Sequence, residues 1–446
     1  MRTLRAQLAA VGVSLAVVSL VLAWALSVPA GLFPGSWLEF AERCLICLAV
    51  CILLSFVWAF LLLGGIDRGW AHFKRSAPLV LSLRRALLDA GYSVTRCWLL
   101  GEYEELPRMD FRLVGDGGSA LLRVENSIRF DKKLDGVDVS SALRGYVLER
   151  SYQSDDRDWY IYELIDAVSD FGLGFETLEE FSLYAGERCD RWHLFLDGRT
   201  TVPLSSALLV GQTGSGKTYA LASLILQMWE KGAEVSLCDP KRADVNALSV
   251  SLGLGDAAVS PDEIAASLDL FVSQMAVRKE EMALRLATRM VSTYEDFGLE
   301  PHVLVIDEYA ALSYAMRSRD KKFRDAVAGR IAEVVLQGRQ LGFFIMIAMQ
   351  KSDASLIDTA MRENLPLVVV LGNAQPQTVV TAFGSGVDLP ARSNGPGEGW
   401  FTCPQIAPTP KLVQFPDLRF LASGDFGRGG GSCNDPRPHS DEVTPR

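Results

Sequence analysis

The sequence predicts an α/β fold built on a mostly parallel β-sheet, and three observations lead to it. Short apolar runs alternate with longer helical patterns through the second half of the 446-residue chain. A glycine-rich stretch at residues 211–218 stands between an apolar run and a helical pattern. A second apolar run, at residues 303–306 after His302, is followed directly by Asp307 and Glu308. Buried strands that alternate with helices give parallel sheets with the helices packed between the strands.

The glycine-rich stretch reads GQTGSGKT, which has the form G-x-x-x-x-G-K-T of a phosphate-binding P-loop. In such a loop the backbone N–H groups surround a polyphosphate, and the following helix adds the positive end of its dipole. Lys217 can reach the β- and γ-phosphates, and Thr218 can place its hydroxyl on a Mg²⁺ ion. The predicted ATP-binding residues are Gly211, Gln212, Thr213, Gly214, Ser215, Gly216, Lys217 and Thr218.

Two other strand ends supply catalytic candidates. The run that ends in Asp307 and Glu308 has the Walker B pattern, in which Asp307 holds Mg²⁺ through water and Glu308 polarises the attacking water. Gln350 follows the predicted strand 343–349, where it can sense the γ-phosphate and orient water between the two motifs. With the strands predicted at 207–210, 234–238 and 367–371, the sequence indicates a RecA-like P-loop ATPase that uses ATP and Mg²⁺.

Asp239 and Lys241 follow the strand predicted at 234–238. Ligands of open α/β sheets bind at the carboxyl ends of the strands, so both residues are candidates for contact with the nucleotide or with a neighbouring subunit. A proline-containing turn with surface charges explains the same residues, and the sequence leaves both interpretations open.

Basic residues suggest two further roles. Arg339 and Arg362 are candidates for an arginine finger supplied in trans, with surface ion pairs as the alternative. Five residues after the Walker B strand form a basic cluster that could bind DNA phosphates in a channel or could be a solvated helix start. The net charge of −10 argues against a chain coated in nucleic acid, although it does not exclude a local basic channel. The cluster consists of Arg317, Arg319, Lys321, Lys322 and Arg324.

The N-terminal part predicts a membrane anchor. Two uncharged apolar runs, residues 8–28 and 44–66, are each long enough to cross a bilayer. The first alone could be a signal peptide, but it is long and a second run follows closely. Arg2 and Arg5 precede the first run, and Arg68, Lys74 and Arg75 follow the second, so both ends and the ATPase are expected in the cytoplasm, at the plasma membrane.

The expected organisation has four parts: a two-span anchor at 1–76, a small α+β domain at 77–190, the ATPase domain at 191–421 and a disordered tail at 422–446. In the α+β domain, patterns predict helices at 77–90 and 139–148 and extended runs at 92–100, 108–114, 120–125 and 159–164. The domain carries no motif for chemistry, so docking and a spacer role both stay open. The eight cysteines lack paired metal-ligand spacing, so no zinc site is expected, and the isolated Cys97, Cys189, Cys238 and Cys403 are predicted to be core thiols in a reducing compartment.

Taken together, the motifs resemble the FtsK/SpoIIIE-type DNA-pumping ATPases of the HerA–FtsK group. The resemblance covers about residues 192–416 and implies a homo-hexameric ring that threads double-stranded DNA using ATP. The matching stretches are GQTGSGKTY, CDPKRAD, VLVIDEYAAL, GRQLGFFIMIAMQKSD, MRENLP and GPGEGWF.

The layout departs from that of the septal FtsK-type translocases, which usually have four spans, a long linker and a C-terminal DNA-reading module. Two spans, a compact intermediate domain and a short polar tail are similar to the FtsK-type coupling proteins of Gram-positive integrative conjugative elements. This resemblance implies DNA, a relaxase and type IV secretion-channel proteins as partners.

Three alternatives stay open. The first is a septal chromosome or plasmid translocase. The second is a type VII-like protein-secretion ATPase, although such proteins usually string several P-loop domains together. The third is a docking platform with a vestigial ATPase, and the intact Lys217, Thr218, Asp307 and Glu308 argue against it.

Overall fold

The structure is a computed structural model. It describes residues 66–89, 91–98, 101–114, 119–127, 142–143, 145–166, 172–286, 293–350, 359–385 and 392–423, and a few isolated residues besides. The chain divides into two compact units, Met1–Ser169 and Asp170–Arg446.

In the first unit, one helix packs against an antiparallel sheet. Leu79, Leu83 and Leu87 recur every four residues, so they share one face of the helix, and this face is buried in one core with Phe111 and Leu122. The elements are α1 (Trp70–Asp89), β1 (Val94–Trp98), β2 (Gly101–Glu105), β3 (Met109–Val114), β4 (Ser119–Glu125), β5 (Tyr146–Gln153) and β6 (Trp159–Asp166). The strand order in the sheet is β3-β4-β6-β5, and β1 and β2 form a separate hairpin.

The helix predicted at 139–148 is wrong at its C-terminal end, where the chain forms strand β5. This strand pairs antiparallel with β6, with Leu148 opposite Leu164 and Arg150 opposite Glu163. The register shifts between Leu148 and Arg150, so a β-bulge interrupts the alternation of buried and exposed side chains that would mark a strand.

The second unit holds a seven-stranded sheet, whose strands lie in the order β11 (Glu234–Cys238), β12 (His302–Ile306), β13 (Phe343–Met349), β10 (Ala207–Gly211), β14 (Leu367–Leu371), β15 (Glu398–Cys403) and β16 (Ala407–Gln414). The first five strands are parallel, and β15 and β16 are antiparallel additions. Strand β10 lies in the middle of the sheet, and β13 separates it from β12.

The elements that build the second unit around this sheet are β7 (Gly174–Phe175), α2 (Leu178–Arg188), β8 (His193–Phe195), β9 (Thr201–Pro203), β10 (Ala207–Gly211), α3 (Lys217–Glu230), β11 (Glu234–Cys238), α4 (Asp244–Ser251), α5 (Pro261–Leu286), β12 (His302–Ile306), α6 (Tyr309–Ala315), α7 (Lys321–Leu341), β13 (Phe343–Met349), α8 (Thr359–Glu363), β14 (Leu367–Leu371), α9 (Pro376–Phe383), β15 (Glu398–Cys403), β16 (Ala407–Gln414), β17 (Asp417–Leu418) and α10 (Arg419–Ser423).

The parallel strands form the core of this unit. Every residue of β10, β12, β13 and β14 is buried, as expected for a sheet covered by helices on both faces. The carboxyl ends of these strands meet at one edge of the sheet, where the predicted site residues follow them. The prediction of a mostly parallel α/β sheet is therefore confirmed.

The boundary of the second unit differs from the sequence prediction. It falls between Ser169 and Asp170, not after residue 190. The reason is an aromatic cluster in which Phe181 of α2 packs within 5.6 Å of Phe195 and 6.4 Å of Phe420, measured between ring centroids. Strand β7 also pairs with β17 at the far end of the chain. Residues 172–190 therefore belong to the P-loop unit.

The predicted apolar spans lie almost entirely outside the described residues, as do residues 424–446 of the predicted tail. Within the part of the chain that the structure describes, no helix has the length and apolar character needed to cross a membrane.

Candidate nucleotide-binding and catalytic site

The candidate phosphate-binding loop joins β10 to α3. Gly214 and Gly216 have φ angles of 83° and 86°, in a region that L side chains rarely adopt. Gly216 directly precedes α3, so the loop leads into the positive end of a 14-residue helix. Gln212 and Thr213 are exposed in the loop, whereas Ser215 is buried and Thr218 is half-buried in the first turn of α3.

Two other glycines allow the loop to pack closely on its neighbours. The N–H of Gly397 donates to the carbonyl of Ser215 at 2.8 Å. A Cβ added at Gly216 would lie 2.3 Å from the nitrogen of Gly397, and a Cβ added at Gly372 would lie 2.9 Å from Cβ of Ser215. Sequence reasoning missed Gly372 and gave Gly397 no role, although a glycine directly after the apolar run 367–371 was a usable signal.

Lys217 is paired with the Walker B aspartate. Its Nζ lies 2.5 Å from Oδ1 of Asp307, and the two side chains are 10% and 12% exposed. The pair joins the start of α3 to the carboxyl end of β12, two strands away in the sheet. The structure thus brings together the key residues of the two motifs, which are 90 positions apart in the sequence.

Glu308 occupies an unusual backbone conformation, with φ 58° and ψ 62°. This left-handed region costs a non-glycine residue free energy, and such strain concentrates at functional sites. The carboxylate is buried, and it accepts two hydrogen bonds. Oε2 accepts from Nζ of Lys241 at 3.1 Å, and Oε1 accepts from the backbone N–H of Gln350 at 3.3 Å.

Gln350 follows the strand that lies between the strands of the two motifs. It follows β13, which is hydrogen-bonded to β10 on one side and to β12 on the other. Its contact with Glu308 comes from the backbone, and its side chain is exposed. The side chain is therefore accessible for contact with water or a γ-phosphate.

The loop after β11 is built around Asp239, which is fully buried. Its carboxylate accepts from the backbone N–H groups of Lys241 at 3.1 Å, Ala243 at 2.6 Å and Asn246 at 3.1 Å. Asp239 therefore holds its own loop, whereas Lys241 reaches Glu308. Burial raises the pKa of the preceding Cys238 thiol to about 12, so this cysteine stays protonated at neutral pH.

The donor set suits magnesium. Asp307 offers a carboxylate and Thr218 a hydroxyl, and Mg²⁺ prefers oxygen ligands, commonly one or two carboxylates together with substrate phosphates and water. No group of three or more histidine, cysteine or acidic side chains able to hold a metal occurs among the described residues. A nucleotide-bound magnesium ion does not need such a group.

The two arginine candidates lie in different settings. Arg339 is exposed in the last turn of α7. Arg362 is half-buried on α8, and its Nη1 donates to the carbonyl of Thr381 at 2.7 Å. The guanidinium of Arg362 is thus already engaged within its own chain, whereas that of Arg339 faces solvent.

All five members of the basic cluster are exposed around the start of α7. Arg319 forms an ion pair with Asp262, and the guanidinium of Arg317 lies 5.4 Å from the ring centroid of Tyr314. Asp320 caps the helix by accepting from the N–H of Phe323 at 2.7 Å. The cluster is therefore both a solvated helix start and an accessible positive surface.

The resemblance to FtsK-domain proteins is confirmed by a curated relative, the FtsK domain-containing protein YdcQ of Bacillus subtilis (strain 168). It is 31% identical over 169 residues, which make up 38% of this chain and 34% of the relative. The matched region spans about a third of the length of that relative. No protein-family model matches the chain.

Solved structures show distant likenesses. The monomer form of the pCW3 conjugation coupling protein TcpA with ATPγS aligns with 76% of this chain and 94% of that one, at 16% identity and a TM-score of 0.46. The cytoplasmic domain of the type VII secretion ATPase EccC of Thermomonospora curvata aligns with 62% of this chain and 36% of that one, at 15% identity and a TM-score of 0.44. Likenesses at this level do not bear on function.

Proposed function

We propose that the second unit is an ATPase and that Lys217, Thr218, Asp307 and Glu308 form its catalytic site. The observation that carries the proposal is the meeting of two motifs at one sheet edge, where Lys217 pairs with Asp307 and the strained Glu308 lies beside Gln350. Sequence motif, strand order and side-chain contacts all support the same chemistry.

In this proposal the Lys217 side chain leaves Asp307 when ATP binds, and its ammonium group binds the β- and γ-phosphates. Thr218 and Asp307 would hold the Mg²⁺ ion, which neutralises charge on the phosphate oxygens when it is bound. Glu308 accepts a proton from the attacking water, and the Gln350 side chain orients that water. Arg339 is the better-placed trans finger, because its guanidinium faces solvent while that of Arg362 is engaged.

We further propose that ATP hydrolysis moves DNA and that the chain acts as a conjugative coupling protein. The support is the 31% identity to an FtsK domain-containing protein, the motifs that resemble those of FtsK/SpoIIIE-type ATPases, the predicted layout similar to that of FtsK-type coupling proteins, and the exposed basic cluster. A homo-hexamer, a two-span plasma-membrane anchor with a cytoplasmic ATPase, and contacts with a relaxase and channel proteins belong to this proposal.

A salt titration tests the DNA part. Contacts with phosphates release counterions, so log affinity should fall by roughly 0.7 to 0.9 per log unit of salt for each contact. Neutralising Arg317, Lys321, Lys322 and Arg324 together should lower this slope and the DNA stimulation of ATPase, without lowering nucleotide affinity. The single variants Arg317→Gln and Arg319→Gln form a matched comparison, and the effect of Arg319→Gln should be the smaller of the two because Arg319 is paired with Asp262.

Gene deletion tests the cellular role. The expected result is a loss of element or plasmid transfer with normal growth and septation. Normal transfer with a division defect would favour a septal translocase, and normal transfer with a protein-export defect would favour a type VII-like secretion ATPase. Either result would contradict the coupling role.

A further inference from the structure

Lys241 lies beside the Walker B strand because of the sheet register. Strands β11 and β12 are parallel neighbours with Cys238 opposite Ile306. Asp307, which directly follows β12, donates its N–H to the carbonyl of Cys238 at 2.9 Å. The loop that begins at Asp239 therefore follows the same sheet edge as Asp307 and Glu308.

The backbone of this loop is held firmly. The buried Asp239 carboxylate accepts three backbone hydrogen bonds, and Asn246 accepts a further one from the N–H of Ala257 at 2.9 Å. Arg242 adopts φ 51°, which turns the chain directly after Lys241. Lys241 thus projects from a preorganised loop, although its own side chain is 44% exposed.

Two hydrogen-bond donors hold the carboxylate of Glu308. The Glu308 side chain is only 6% exposed, and a buried carboxylate requires hydrogen-bond partners. The contact with Gln350 N–H, at 3.3 Å, is long for an N–H···O bond. The contact with Lys241, at 3.1 Å, comes from a charged donor and is the stronger of the two.

We propose that Lys241 is a positioning residue that fixes the Glu308 carboxylate for proton transfer from water. The left-handed backbone sets the direction of the Glu308 side chain, and the ammonium group of Lys241 fixes its far end. The proposal rests on the proposed ATPase function, since it gives Lys241 a role only through Glu308. It also explains why a charged residue follows the strand 234–238, which sequence reasoning could not settle.

The test is steady-state ATPase of the full chain carrying Lys241→Met. We expect kcat to fall by about tenfold to a hundredfold, because a misplaced catalytic group costs about this much. The KM for ATP and the affinity for a fluorescent ATP analogue should not change, because Lys241 contacts Glu308 and not the phosphate loop. Lys241→Arg should have a higher kcat than Lys241→Met, and the kcat of Lys241→Gln should lie between those of the two variants.

Arg242→Asn is the control, because asparagine tolerates the left-handed backbone and the change removes the neighbouring positive charge. It should keep wild-type kcat. In single-turnover assays, adding Lys241→Met to Glu308→Gln should cause no further loss, since residues that act as a unit are not additive.

Wild-type or increased kcat in Lys241→Met would overturn the positioning role. A loss of nucleotide affinity without the expected fall in kcat would overturn it as well. A further loss in the Glu308→Gln background would also overturn it. Full activity of Glu308→Gln itself would instead contradict the proposed catalytic site, so the two failures are distinguishable.

Discussion

The ammonium group of Lys217 lies 2.5 Å from the carboxylate of Asp307, so the lysine of the phosphate loop neutralises the acid at the exit of β12. Both side chains are about nine-tenths buried, and each is the other's countercharge. In the proposed mechanism, ATP binding exchanges this internal ion pair for contacts with phosphates and a metal ion. Loss of either partner alone would therefore leave an uncompensated buried charge.

Removing one partner of this pair should destabilise the second unit. Lys217→Met leaves Asp307 as an uncompensated buried charge, and breaking such a pair costs about 3 kcal/mol or more. The double variant Lys217→Met/Asp307→Asn removes both charges and should recover part of the loss. Denaturant unfolding of the two variants measures the difference. Equal stability of the single variant and the wild type would show that the pair contributes nothing.

Gly216 should tolerate alanine far less well than Gly214. Both glycines have positive φ angles, so alanine is strained at either position. A Cβ at Gly216 would lie 2.3 Å from the backbone nitrogen of Gly397, whereas a Cβ at Gly214 would meet nothing within 4 Å. Gly216→Ala should therefore displace the loop and weaken ATP binding at least about tenfold more than Gly214→Ala, a difference of about 1.4 kcal/mol. Equal affinities in a nucleotide titration would contradict the packing argument.

The backbone strain at Glu308 should be measurable. Glu308→Gly and Glu308→Ala both delete the carboxylate, but only glycine adopts φ 58° without strain. The glycine variant should be more stable than the alanine variant by about 1 kcal/mol. Both should lack ATPase activity. Greater stability of the alanine variant, measured by denaturant unfolding, would show that residue 308 is not strained.

His302 should make stability depend on pH. Its ring stacks on Phe343 at 4.4 Å between centroids, and its Nε2 lies 2.9 Å from Nη2 of Arg278. Burial lowers the pKa of His302, and the charge of Arg278 lowers it further, although Glu234 opposes the shift. Since the folded state binds the proton less well than the unfolded state, stability should be full above about pH 6.5 and fall below it.

This loss can amount to at most about 1.4 kcal/mol per pH unit for one proton. Chemical unfolding at pH 7 and pH 5 should show a smaller loss for His302→Gln than for the wild type. His193→Gln removes a less buried imidazole of the same unit and serves as the control. An unchanged pH dependence in His302→Gln would refute the assignment to this ring.

The sequence was enough to predict the parallel sheet because its strands carry local signals. The runs 207–210, 303–306 and 343–349 are wholly apolar, and chemically distinctive residues follow each of them. Local patterns could not reveal that Lys241 contacts Glu308, since that contact depends on the register between β11 and β12. The position of Gly372 after the apolar run 367–371 was a local signal, but its close neighbour Ser215 lies 157 positions away in the sequence and could not be found from local patterns.

Two errors have specific physical causes. Strand β5 was predicted as a helix at 146–148, because a bulge breaks its alternation and its pairing with β6 overrides the local preference. The boundary after residue 190 was placed too late, because Phe181 packs on the rings of Phe195 and Phe420, which both belong to the second unit. In both cases the decisive contact was tertiary.

The catalytic role of Glu308 is the central claim, and single-turnover hydrolysis by Glu308→Gln tests it most directly. Glutamine keeps the size of the side chain and can still contact Lys241, but it cannot accept a proton from water. We expect ATP affinity close to that of the wild type and a hydrolysis rate reduced at least about a hundredfold, the lower end of what a general base contributes. Hydrolysis at the wild-type rate would contradict the account.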